Sequence, residues 1–147
     1  MKISSSLFFS LIAMVAVAIP SGTAFAELYL YDVLAKPAYL KSWNALFIGE
    51  KEVDPWLTSY SKTRNGPATP GETVQVDGNI YQINFVCKAH DCGDNRFYVL
   101  FAYDGSKAWG YLLKNGKGEH FFGTPDGDKM NALRAAARGL EQLAPKR

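Results

Sequence analysis

Three turn dipeptides, Asp77-Gly78, Asp104-Gly105 and Asn115-Gly116, punctuate the second half of this chain. Asp-Gly and Asn-Gly tolerate the positive φ of tight hairpin turns, so the segments they join run antiparallel. Thr73 to Val76 alternates ahead of the first turn, and Ile80 to Val86 follows it, with Tyr81, Ile83 and Phe85 on one side and Gln82 and Asn84 on the other. Phe97 to Tyr103 is apolar on both faces and belongs at the centre of a sheet. Ala108 to Leu113 and a stretch near Glu119 to Phe122 complete a five-stranded antiparallel meander.

The flanking segments read as helices. Between Asp32 and Phe47, the residues Val33, Leu40, Trp43, Leu46 and Phe47 share one broad face, and Pro37 should break or kink the helix. Asp54-Pro55 suits a cap and a first helical position, ahead of Trp56, Leu57 and Tyr60. Thr63 to Gly71 reads as a polar connection. At the other end Thr124 or Asp126 can cap a helix with Pro125 in its first turn, and Met130, Leu133, Ala137 and Leu140 recur at helical spacing as a core stripe. Helices, a meander and a closing helix give a single α+β domain, a five-stranded antiparallel sheet flanked by helices.

Residues 1–26 carry the pattern of a secretory signal peptide: Lys2, a short apolar run from Leu7 to Ile19, then Ala24-Phe25-Ala26. The run is shorter than the roughly 20 apolar residues of a membrane helix. Glu27 rather than a cysteine stands directly after Ala26, so a lipid anchor is not indicated, and the mature domain is expected to be 27–147 in a bacterial periplasm. Formal charge is +2, falling to +1 once Lys2 is removed. Such a balance argues against nucleic acid, whose phosphates need a net basic face.

The chain has two cysteines and two histidines, and CKAHDC, residues 87–92, holds both cysteines and one histidine. Under oxidising conditions the cysteines have one possible pairing, Cys87–Cys92. This segment is also the one long strand connection, Cys87 to Asn95, where hairpin economy would place two to five residues. It is polar apart from Ala89, and long polar loops on rigid sheets are where binding residues are displayed. Closing so short a ring removes roughly 2 kcal/mol of unfolded-state entropy. The local effect is larger: His90 is projected on a stiff knob that loses little freedom on docking. The spacing of Cys87, His90, Cys92 and His120 matches no trusted zinc pattern, and a redox Cys-x-x-Cys is absent. His120, in an aromatic strand, reads as a packed or edge residue. No Gly-x-Ser-x-Gly, His-Glu-x-x-His or phosphate loop is present, so neither an enzyme nor a metal or cofactor site is indicated.

Cys87-Lys88-Ala89-His90-Asp91-Cys92 followed by Gly93, between two strands of a secreted domain of this size, resembles the Ivy family of bacterial inhibitors of vertebrate (C-type) lysozyme. The likeness extends to the layout: helices, a five-stranded antiparallel sheet, helical closure. It implies that the disulfide-closed loop enters the lysozyme cleft, that His90 contacts the catalytic carboxylates, and that Lys88 and Asp91 neighbour it. The chemistry agrees, because a retaining glycosidase holds its two carboxyl groups about 5 Å apart and one protonated imidazole can donate to both. Asp91 is positioned in sequence to orient His90. Two features depart from the family pattern. Ala89 stands where proline is common, and the near-neutral charge gives no strong steering toward basic C-type lysozymes. The same knob could instead restrain the cell's own lytic transglycosylases, and a non-inhibitory periplasmic scaffold would not need His90 at all. Either a monomer or a homodimer is compatible with the sequence.

Overall fold

The computed structural model describes residues 28–115 and 118–143, with side chains in the closing helix up to residue 139. The signal-peptide stretch lies outside the described residues, as do Gly116 and the side chain of Leu140. Element order is α1 (Leu30–Val33), α2 (Pro37–Ala45), α3 (Pro55–Thr63), β1 (Ala68–Val76), β2 (Asn79–Cys87), β3 (Asn95–Ala102), β4 (Ala108–Lys114), β5 (Gly118–Phe122) and α4 (Gly127–Leu143). The five strands form one antiparallel sheet in the order β1-β2-β3-β4-β5, the expected meander.

Side-chain alternation along the strands creates two cores. On one face, Val86, Phe97, Val99, Phe101, Leu112 and Phe122 pack under α1 to α3, against Leu30, Trp43, Leu57 and Tyr60. On the other face, Ile83, Tyr98, Leu100, Trp109 and Tyr111 pack under α4, against Leu133 and Ala137. The middle strand β3 is therefore buried on both faces. Gly110 in β4 is required by this packing: a Cβ there would sit 2.4 Å from the Phe97 ring.

Several expectations are corrected. The helix break falls at Pro37, which occupies the first turn of α2, but Tyr39 rather than Leu40 takes the fully packed position. Asp54 stands at the N-cap of α3 with Pro55 in the first turn, as expected, but its carboxylate makes no capping bond and lies 3.2 Å from the Lys114 ammonium. β1 starts at Ala68, inside the stretch read as a polar connection, and a register shift between Thr69 and Glu72 absorbs Pro70 and Gly71. Proline is tolerated there because β1 is an edge strand. Asp77 and Gly78 both have positive φ, as a tight hairpin requires. The β3–β4 connection is longer than the expected dipeptide turn, running from Tyr103 to Lys107 and closed by a bond from the Ala102 amide to the Lys107 carbonyl. Asp126 caps α4, accepting from the Lys129 amide at 3.0 Å; Thr124 has φ 49 and Pro125 precedes the cap. Met130 is half-buried rather than part of the packed stripe.

Candidate functional site

The β2–β3 connection grows directly from the two strands beside it. Cys87 ends β2 opposite Arg96, and Asn95 opens β3 opposite Lys114. Cys87 and Cys92 form a disulfide with Cα atoms 5.0 Å apart, a normal span. Cys87 is fully buried, so the bridge is rooted in the domain.

Between the cysteines the chain makes one tight turn. The Asp91 amide donates to the Lys88 carbonyl at 3.0 Å, leaving Ala89 and His90 at the corner. His90 has φ 64 and Ala89 is not among the residues of positive φ, which is the pattern of a type II turn. Position three of such a turn favours glycine or asparagine, and position two favours proline. The left-handed backbone at a histidine costs about 1 kcal/mol, so the surroundings must hold it. The His90 side chain is exposed at the tip.

What holds it is a set of polar contacts at the base of the turn. Lys88 donates its amide to the Asn95 carbonyl at 3.0 Å, and Asn95 donates its own amide to the Asp91 carbonyl at 3.1 Å. The Asn95 side-chain amide donates to Asp91 Oδ2 at 2.7 Å, and Lys88 Nζ lies 3.6 Å from the same oxygen. The Asp91 carboxylate is thus directed at Asn95 and Lys88, not at His90 as its sequence position suggested. Asn95 is buried, 5% exposed, while the residues around it in the loop are half-buried or open.

Two further segments meet the knob. The Cys87 amide donates to the Pro67 carbonyl at 3.0 Å, and Gly66 lies so close that a Cβ would sit 2.3 Å from the Cys87 carbonyl oxygen. On the opposite side the Asn115 amide donates to the Asp94 carbonyl at 2.5 Å. Both segments, 64–67 and 114–115, stand beside the loop at the same end of the sheet. Two nearby lysines are paired, Lys88 with Asp91 and Lys114 with Asp54.

His120 is not part of this arrangement. It is an edge-strand residue of β5, with Nε2 3.3 Å from a Glu50 carboxylate oxygen and its ring packed edge-on against Phe122. Among the described residues, no three or more His, Cys, Asp or Glu side chains gather as a metal-binding group, and no helix is long and apolar enough to cross a membrane.

The sequence marked Cys87 to Cys92 as the site, and the structure brings those residues into one turn. Asn95 was missed, because a polar residue at the end of a polar loop gives no sign that it is buried. Pro67 and Asp54 were missed because their contacts depend on how α3 and β1 return to the sheet.

The family model for inhibitor of vertebrate lysozyme (Ivy) matches residues 38–140. An inhibitor of vertebrate lysozyme from Pseudomonas aeruginosa is 38% identical over 81 residues, covering 55% of this chain and 50% of that protein. An inhibitor of vertebrate lysozyme from Escherichia coli K12 is 29% identical over 109 residues, covering 73% of this chain and 66% of that protein. An uncharacterized protein of Yersinia pestis is 28% identical over 113 residues, covering 75% of this chain and 70% of that protein. The matched regions therefore span between half and about two thirds of the two named inhibitors.

Proposed function

Because this chain belongs to the Ivy family, we propose that it inhibits C-type lysozyme by docking the turn Cys87–Cys92 in the enzyme's cleft. The observation that carries this reading is the exposed His90 ring, held at φ 64 on the corner of a turn closed by a disulfide. A lysozyme cleft is a groove shaped for a polysaccharide, with two carboxyl groups facing across the scissile bond. A protonated imidazole has N–H donors on opposite sides and can bond both carboxyls at once. Such charge-assisted bonds are stronger than neutral ones, and in a cleft from which the knob expels water they are less screened.

The preformed turn is what makes a small contact effective. A flexible loop would lose side-chain and backbone freedom on binding, and here the disulfide and the base of the turn have already removed it. A knob of six residues is nevertheless smaller than a standard interface of about 800 Å² per partner. Segments 64–67 and 114–115, beside the knob, are the surfaces on which the rest of the contact would form. The expected setting is the periplasm, reached through the signal peptide of residues 1–26.

The test is a titration of oxidised, purified 27–147 protein into a C-type lysozyme degrading bacterial cell walls. Loss of lysis near equimolar inhibitor is expected. His90→Asn keeps a residue suited to positive φ and removes the imidazole, so it should raise the inhibition constant by about tenfold or more, two charge-assisted bonds being lost. An unchanged constant in His90→Asn would remove His90 from the mechanism. Failure of the intact protein against lysozyme, with inhibition of a lytic transglycosylase assayed alongside, would transfer the same knob to that target.

A further inference from the structure

The disulfide is not the only closure of the knob. Asn95, outside the bridged ring, makes three hydrogen bonds to it: its carbonyl accepts from the Lys88 amide, its amide donates to the Asp91 carbonyl, and its side chain donates to Asp91 Oδ2 at 2.7 Å. These bonds grip residues 88 and 91, the first and last positions of the turn whose corner is His90. We infer that Asn95 is a positioning residue, which through Asp91 holds the turn in shape and presents His90 independently of the Cys87–Cys92 bond.

The physical case rests on location and chemistry. Asn95 is 5% exposed while the Asp91 side chain is 40% exposed, so the donor end of this charge-assisted bond is held in the domain and the carboxylate end faces solvent. It is also fixed at its own root, as the first residue of β3 paired opposite Lys114. By contrast the disulfide joins residue 87 to residue 92 and leaves residues 88–91 to be ordered by hydrogen bonds. The strained φ of His90 is therefore opposed by the clamp as well as the covalent ring. A reducing environment would open the bridge while leaving the clamp in place.

The inference rests on the inhibitory reading for one of its two readouts only. In the first, inhibition constants are compared for the intact protein and Cys87→Ala/Cys92→Ala, each with Asn95 and with Asn95→Asp. The Asp variant removes the donor and sets a like charge against Asp91. Loss of the disulfide alone should cost less than about tenfold, and Asn95→Asp in that background should cost a further factor of about ten or more, a charge-assisted bond being replaced by repulsion. The reciprocal exchange Asp91→Asn/Asn95→Asp restores an amide–carboxylate pair and should recover most of the loss, which a general loss of folding would not. Should Cys87→Ala fail to fold, the wild-type protein reduced by dithiothreitol takes its place.

The second readout needs no lysozyme. Nitrogen-15 relaxation of residues 88–91 in the disulfide-free protein should report an ordered turn with Asn95 and a mobile one with Asn95→Asp. A turn that is mobile in both, or ordered in both, overturns the inference whatever the inhibition assay shows. If the protein inhibits no lysozyme but the relaxation contrast is found, the clamp stands and the target assignment fails.

Discussion

At the residue scale, Ala89 is the position where one side chain could still improve the knob. It occupies the second place of a type II turn, where proline's fixed φ is already correct, and no hydrogen bond from its amide is present among the described contacts. Ala89→Pro should therefore remove freedom from the unbound chain without straining the bound one, a gain of roughly 0.4–1 kcal/mol. The expected readouts are a slightly higher melting temperature and an inhibition constant lowered several-fold; a weaker inhibitor would mean that the backbone at residue 89 is not that of this turn. The cysteines, His90 and the turn's existence were legible in the sequence, because those residue types and their spacing leave few arrangements. Asn95 was not, because an asparagine advertises solvent exposure and only the return of β3 into the sheet buries it. The same holds for Asp91: its neighbour in sequence is His90, while its partner in space lies four residues on.

At the scale of elements, the meander was readable from its turn dipeptides and from a strand apolar on both faces, and β3 sits at the centre as that pattern requires. The start of β1 was hidden by Pro70 and Gly71, which look like a loop until the register shift is known. Gly71 is needed there because a Cβ would lie 2.3 Å from the Asn84 side-chain amide, which itself donates to the Leu28 carbonyl at 2.8 Å. The joint between β5 and α4 yields a pH prediction. Glu119 accepts from Arg134 at 2.9 Å and from the Tyr111 hydroxyl at 2.8 Å. Those bonds, Arg134's first, hold its carboxyl below the usual range. A depressed folded-state value means stability present above the ordinary glutamate range and lost as pH falls through the depressed one. Glu119→Gln should therefore melt earlier than wild type at neutral pH, with the gap closing in acid. A constant gap across pH would show that the carboxylate's charge is not what joins β5 to α4. On the same face Leu133 is fully buried among Tyr98, Leu100 and Trp109. Leu133→Ala should cost about 2–5 kcal/mol by urea unfolding, and a loss under 1 kcal/mol would mean that α4 contributes little to the fold.

For the molecule as a whole, the two cores differ in what limits them. The core under α1 to α3 contains Tyr60, fully buried, with a hydroxyl that has no hydrogen-bond partner among the described residues. Burial pushes its ionisation up to about 12. A raised folded-state value leaves stability complete below the ordinary tyrosine range near 10 and erodes it as pH climbs toward about 12. Tyr60→Phe should hold its neutral-pH melting temperature and lose less of it in alkali, and a variant that melts well below wild type at pH 7 would reveal a bond to the hydroxyl. The packing has a further bearing on how the molecule comes apart. The knob is tied to β2 and β3, two inner strands, and β3 is sealed from water on both sides, whereas α4 rests on one side of the sheet. Amide protons of β3 should accordingly be the last to exchange with deuterated solvent, and those of α4 should exchange by smaller openings. Warming or mild denaturant would then loosen the closing helix first, with the tip still presented, and the proposed inhibition would be lost only when the last-exchanging strands give way.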